Sequence, residues 1–237
     1  RAGEHILELA DKVIPQLEQT SRDIKKLAGG QAGRLHMAIE CHSCFDWLMP
    51  AINNFRDQWP EVEIDLMASF HFEPLPALAR GDLDLVVTAD PVPMSGIHYQ
   101  PLFRYQALLA IANQHPLVAC KHVEAHNLAD QTLIHYPVER KRLDIFTQFL
   151  EPNGIEPSKM RQADLTLMIV QLVASGRGVA CLPNWALQPY LNAGLISSKP
   201  LGKNGIWPTL YAAIREEQRE TSYMIDFLQQ SLQACNK

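Results

Sequence analysis

Two short runs hold most of the chemistry this sequence could perform. The first is Cys41-His42-Ser43-Cys44, between an alternating stretch (Leu35, Met37, Ile39) and a helically spaced one (Phe45, Leu48, Met49, Ile52, Phe55). A helix start offers unpaired backbone N–H groups and a dipole that favours an anion. Ser43 can cap such a helix, or join those amides in holding a carboxylate. His42 and Cys44 flank it and count as candidates with it. Cys41 and Cys44 have the spacing of half a zinc site, but no second ligand pair follows, so no metal is expected. A helix start also favours a thiolate. Neither an orienting third group nor an oxyanion hole accompanies it, so no enzyme is expected.

The second run is His135-Tyr136-Pro137, ending a strand-like stretch, with Arg140 and Arg142 opening the next helix. Arginine grips carboxylates with two parallel N–H donors. Arg140 is therefore a second candidate for an anionic ligand; its alternative role is a solvated basic turn with Lys141. Between the two runs, Ser69 and Phe70 lie in a strand-to-helix loop. Phe70 could cover the apolar arm of a small amino acid or pack on its own lobe. Thr88 ends another strand and is a candidate. Asp90, just before Pro91, reads more as a turn residue than as a partner for an ammonium group.

These residues need elements to hold them. Residues 2–28 form a helix in which Ile6, Ala10, Val13, Leu17, Thr20, Ile24 and Leu27 recur at alternating spacings of four and three. That is a heptad seam, suited to pairing with a second helix. Pro15 should kink or weaken one turn, and Gly29-Gly30 ends the run. Strand and helix signals then alternate twice: once from Leu35 to Ala112, and again from Thr132 to Leu201. Such alternation implies parallel sheets with right-handed crossovers. The fold class is thus α/β, with two Rossmann-like lobes joined by strand crossovers and preceded by a linker helix. The expected boundaries are 1–30 for the linker, 31–112 plus 216–237 for lobe I, and 113–215 for lobe II. Ligands of open α/β sheets bind beyond the carboxyl ends of the strands, so a cleft between two hinged lobes is the expected place for a small molecule.

Composition narrows the function. The 237 residues are 47% hydrophobic and 20% charged, with a net charge of −5 and a mean hydropathy of −0.12. A nucleic-acid-binding domain usually carries a basic excess, which is missing here. No apolar run is long enough to span a membrane. Five cysteines, an odd number in a chain too large to need staples, are expected to be reduced and cytoplasmic.

Several segments, in order, resemble the LysR-type transcription regulators downstream of their DNA-binding domain. "GRLHMAIE" is similar to the family's first sheet strand, and "LARGDLDLVVTAD" to its "L..G.LD" segment. "NQHPLV" resembles its crossover loop, and "LVASGRGVACLPNW" its "V..G.G...LP" segment. The likeness covers nearly the whole chain. It implies the fold of type-2 periplasmic binding proteins and places Thr166 near an effector. It further implies a homodimer or homotetramer, with DNA contacted through a winged helix-turn-helix outside this chain and RNA polymerase as a further partner. "AIECHSCFDWLMPA", "PVERKRLDIF" and "LYAAIR" resemble the branch of the family that regulates methionine biosynthesis genes. That likeness implies homocysteine as effector and no cofactor. The competing reading is a secreted solute-binding protein of a transporter. It would have no use for a heptad helix ahead of its first lobe.

Overall fold

In the computed structural model, residues 2–29, 33–40, 43–68 and 73–234 are described. His42, Ser69 and Phe70, named above as candidates, lie outside them. In chain order the elements are α1 (Ala2–Gly29), β1 (Gly33–Ile39), α2 (Phe45–Gln58), β2 (Val62–Ala68), α3 (Pro74–Arg80), β3 (Leu85–Thr88), β4 (Ile97–Arg104) and β5 (Ala107–Ile111). They continue with β6 (Thr132–His135), β7 (Lys159–Gln162), α4 (Thr166–Ala174), β8 (Val179–Pro183), α5 (Asn184–Asn192), β9 (Ser197–Pro200), β10 (Thr209–Arg215) and α6 (Ser222–Ala234).

The chain forms two bodies, one of residues 1–41, 47–103 and 210–237, the other of residues 42–46 and 104–209. Each holds a five-stranded sheet, in the orders β2-β1-β3-β10-β4 and β7-β6-β8-β5-β9. The β-α-β alternation gives the expected parallel neighbours, β1 with β2 and β3, and β6 with β7 and β8. Both sheets are nevertheless mixed, because β10 runs antiparallel to β3 and β5 antiparallel to β8 and β9. The pairing also moves the lobe boundaries. From sequence, β5 falls in lobe I and β10 in lobe II; their hydrogen-bond partners put each in the other body. Both are apolar strands beside a crossover, and nothing in their own composition says which sheet will take them.

The core of the first body lies on both faces of its sheet. Ala38, Val86 and Ala213 pack against Leu75, Ala77 and Leu78 of α3. On α2 and α6, Phe55 meets Phe227 edge-on at 5.4 Å, and Trp59 donates its indole N–H to Asp226 at 3.0 Å. Gly81 ends α3 in the left-handed region, φ 88°, where a side chain would be strained. That explains the glycine of "LARGDLD". The Asp84 that follows is 2% exposed and pairs with buried Arg215 at 3.0 Å.

α1 is continuous through Pro15. Its seam residues Ile6, Leu17 and Ile24 are 60–67% exposed, so these side chains are not absorbed into the core. The second body differs locally from expectation. Residues 140–153, which read as one helix, form two short 3-10 turns around a π-helix, Ile145–Leu150. Pro152 fits the first turn of the closing 3-10 segment, where no N–H is needed. No helix among the described residues is long and apolar enough to cross a membrane.

Candidate functional site

The candidate residues of the second body fall into two groups. β6 alternates its side chains, so Leu133 joins the core that contains Phe146, whereas Ile134 and Tyr136 join the core formed with Ile169, Val170 and Val173 of α4. Consecutive residues His135 and Tyr136 consequently serve different faces.

On the α4 face, the Tyr136 hydroxyl lies 2.7 Å from the Thr166 hydroxyl and also hydrogen-bonds the Ser43 side chain. Ser43 is 6% and Tyr136 9% exposed, and Thr166 is half-buried, so this is a cluster of three hydroxyls, two of them on buried residues. Burial pushes the Tyr136 phenol up to about 12, against the opposing pull of its bonds to Thr166 and Ser43. The phenol therefore stays a donor throughout the ordinary pH range. Thr166 opens α4, whose N-cap is Leu165, without a side-chain cap bond. The first-turn amides of α4 thus have no capping oxygen from that residue, beside two hydroxyls. Such an arrangement suits a carboxylate, which can accept from hydroxyls and helix amides together.

Ser43 was one of the two residues expected to hold such a group, either as a cap or as a ligand. It sits in the turn before α2, which begins at Phe45, and its side chain reaches Tyr136. Its carbonyl accepts the Trp185 indole N–H at 2.8 Å. Asp46, in the first turn of α2, has its carboxyl pushed up by burial.

On the other face, His135, Val138, Arg140, Leu143, Phe146, Met160 and Gln162 line a pocket of about 410 Å³. His135 donates Nδ1–H to the Tyr136 carbonyl at 2.6 Å. Arg140 is already engaged. Its Nε donates to Glu151 at 2.7 Å and NH1 to Glu156 at 2.9 Å, and its guanidinium carbon lies 4.1 Å from the centre of the Phe146 ring. A ligand carboxylate would have to displace glutamates already in place. The glutamates lie 11 and 16 residues further on, a separation that local pattern does not reveal.

Thr88, in the first body, is fully buried, and its hydroxyl accepts the Asp90 amide at 3.0 Å. Asp90 therefore closes a turn after β3, the reading favoured by the following proline.

The cysteines require a correction. From sequence all five are expected to be reduced, but Cys44 is disulfide-bonded. The cysteine count speaks to compartment, whereas bonding depends on which sulfurs the fold brings together. A disulfide sulfur is neither the thiolate nucleophile nor the zinc ligand weighed above. No group of three or more potential ligands among the described residues could hold a metal ion. Cys120 and Cys181 are free, and burial pushes the Cys181 thiol up, with Asp144 adding to the effect.

Trp185 was missed from sequence. Its only signal is its position just after "CLPN", at the start of α5, which does not distinguish a site residue from core.

The LysR substrate binding domain family matches residues 28–236. The HTH-type transcriptional regulator MetR of Escherichia coli K12 is 45% identical over 219 residues, which is 92% of this chain and 68% of that protein. MetR of Haemophilus influenzae is 38% identical, covering 96% of this chain and 74% of its own. Among solved structures, the regulatory domain of a MetR protein, a LysR family regulator from Neisseria meningitidis, superposes with a TM-score of 0.77. It is 40% identical over 85% of this chain and 93% of that one.

Proposed function

The chain belongs to the LysR-type regulators as their substrate-binding domain, and from that premise we propose that it senses homocysteine on behalf of a cytoplasmic regulator of methionine biosynthesis genes. The observation that carries this reading is the hydroxyl trio of buried Ser43, buried Tyr136 and half-buried Thr166 at the start of α4, where the N-cap Leu165 makes no side-chain cap bond. The carboxylate of an amino-acid effector accepts there from hydroxyls and helix amides. The MetR relatives supply the methionine context. Ser43, Tyr136 and Thr166 are assigned to the effector. Arg140 is left with Glu151 and Glu156, and Thr88 remains a candidate to be tested by its own variant. The role is sensing without turnover: bound effector favours whichever arrangement of the chain binds it more tightly, by no more than that difference in affinity. The exposed seam of α1 supports pairing with a second copy, as a homodimer or within a homotetramer.

Calorimetric titration with homocysteine, with methionine and cysteine as controls, tests the reading. Saturable binding that prefers homocysteine is expected, weakened roughly tenfold by Ser43→Ala. Binding of none of the three withdraws the assignment of effector. Equal binding by Ser43→Ala removes Ser43 from the site.

A further inference from the structure

We propose that Trp185 is a positioning residue for the effector, holding the Ser43 turn in place and tying it to the crossover segments of the second body. The proposal rests on the homocysteine reading and deepens it. Two contacts of Trp185 matter here. Its indole N–H donates to the Ser43 carbonyl at 2.8 Å, and its ring meets Tyr105 edge-on, with centroids 4.7 Å apart. Tyr105 is 7% exposed and lies between β4 and β5, where the chain enters the second body. Its amide donates to the Pro208 carbonyl at 3.0 Å, just before β10, where the chain leaves that body. Its hydroxyl donates to Asp144 at 3.2 Å. The neighbouring Gln106 carbonyl accepts the Asn184 amide at 2.9 Å, at the start of α5. One side chain thus bridges the turn that presents the Ser43 hydroxyl to Tyr136 and the residue that joins both crossovers.

Two consequences follow from these contacts. Removing the indole N–H deprives the Ser43 carbonyl of a well-placed donor and loosens the hydroxyl that completes the trio. The effect on ligand passes through Ser43, since Trp185 need not touch the effector itself. A side chain serving packing alone would act equally whether or not the Ser43 hydroxyl were present.

The test is a double-mutant cycle on the full chain, read by calorimetric titration with homocysteine. Trp185→Phe keeps an aromatic ring against Tyr105 and drops the N–H. It is expected to weaken homocysteine binding about fivefold. In the Ser43→Ala background the same change is expected to have less than about a twofold effect, because the group it positions is gone. An equal loss in both backgrounds, or no loss in the first, overturns the proposal. Should Trp185→Phe fold poorly, β-(3-benzothienyl)alanine at position 185 keeps the bicyclic shape and lacks only the donor, and the same two outcomes apply. If the unaltered chain fails to bind homocysteine, the effector reading falls and this one with it. If it binds and the cycle is additive, the positioning role falls alone.

Discussion

Asparagine in place of Asp84 asks whether charge holds the first body together. Asp84 accepts from Arg215 NH2 and Gln218 Nε2, both at 3.0 Å on one carboxylate oxygen, and from the His36 amide at 3.0 Å on the other. Asp84 is 2% and Arg215 5% exposed, so water cannot replace a missing partner. Arg215 also donates to the carbonyls of Leu78 and Leu83, either side of the Gly81 turn, and so ties β10 to the α3–β3 corner. Breaking a buried pair from one side costs about 3–5 kcal/mol. Asparagine preserves shape and one acceptor, and Arg215 keeps a solvent-exposed counter-charge in Glu217 at 3.3 Å, so the lower end applies, about 3 kcal/mol. For a chain of this size that lowers Tm by roughly 6–12 °C. Urea unfolding followed by far-UV circular dichroism gives the free energy, and calorimetry gives Tm. Replacing both partners, Asp84→Leu with Arg215→Met, should cost less than Asp84→Asn alone, because no charge is left stranded. A loss under about 1 kcal/mol for Asp84→Asn, or a double variant damaged further than the single one, refutes the reasoning.

Three other outcomes are expected. Tyr136, whose phenol is pushed up to about 12, keeps its proton longer when folded than when unfolded. Its contribution is intact below about pH 10 and is lost between about 10 and 12, as the unfolded chain releases the proton first. Ultraviolet titration should show a late-ionising tyrosine that vanishes in Tyr136→Phe. At Gly178, an added Cβ meets the Thr132 carbonyl of the neighbouring strand, so Gly178→Ala is expected to lose about 2 kcal/mol or more in urea unfolding. His115 accepts the Leu117 amide on Nδ1 at 3.2 Å and therefore donates Nε2–H to Gln131 at 3.1 Å. Nitrogen NMR should find that tautomer, and His115→Ala should cost about 1 kcal/mol as a lost cap.

The parts of the fold that sequence revealed were those specified by local pattern. The apolar alternation of β1 and the helical spacing of α2 need only neighbouring residues to be read, and each forms as expected. The heptad seam of α1 is legible for the same reason. Where β5 and β10 belong is settled by partners tens of residues away, and the chain there is equally apolar on either assignment. The π-helix at Ile145–Leu150 is hidden too, because its spacing departs from the α-helical period only where tertiary packing demands it.

The site divides along the same line. Ser43 and Tyr136 could be named because each ends a strand or opens a helix, and open α/β sheets gather such positions; Thr166 could be named through the resemblance to the LysR-type regulators. What sequence could not supply was their grouping. Arg140 and Tyr136 stand four residues apart, yet Tyr136 bonds Thr166 while Arg140 lies over Phe146 between Glu151 and Glu156. A free guanidinium invites a carboxylate, and a paired one requires an exchange of partners. The proposed site therefore meets the anionic end of an effector with neutral donors, in place of the charged residue that residue type alone recommends. Neutral donors bind an anion through direction more than through charge, so the proposed role of Trp185, which bonds Ser43 from 142 residues away, is to keep the turn rigid enough for them to do it.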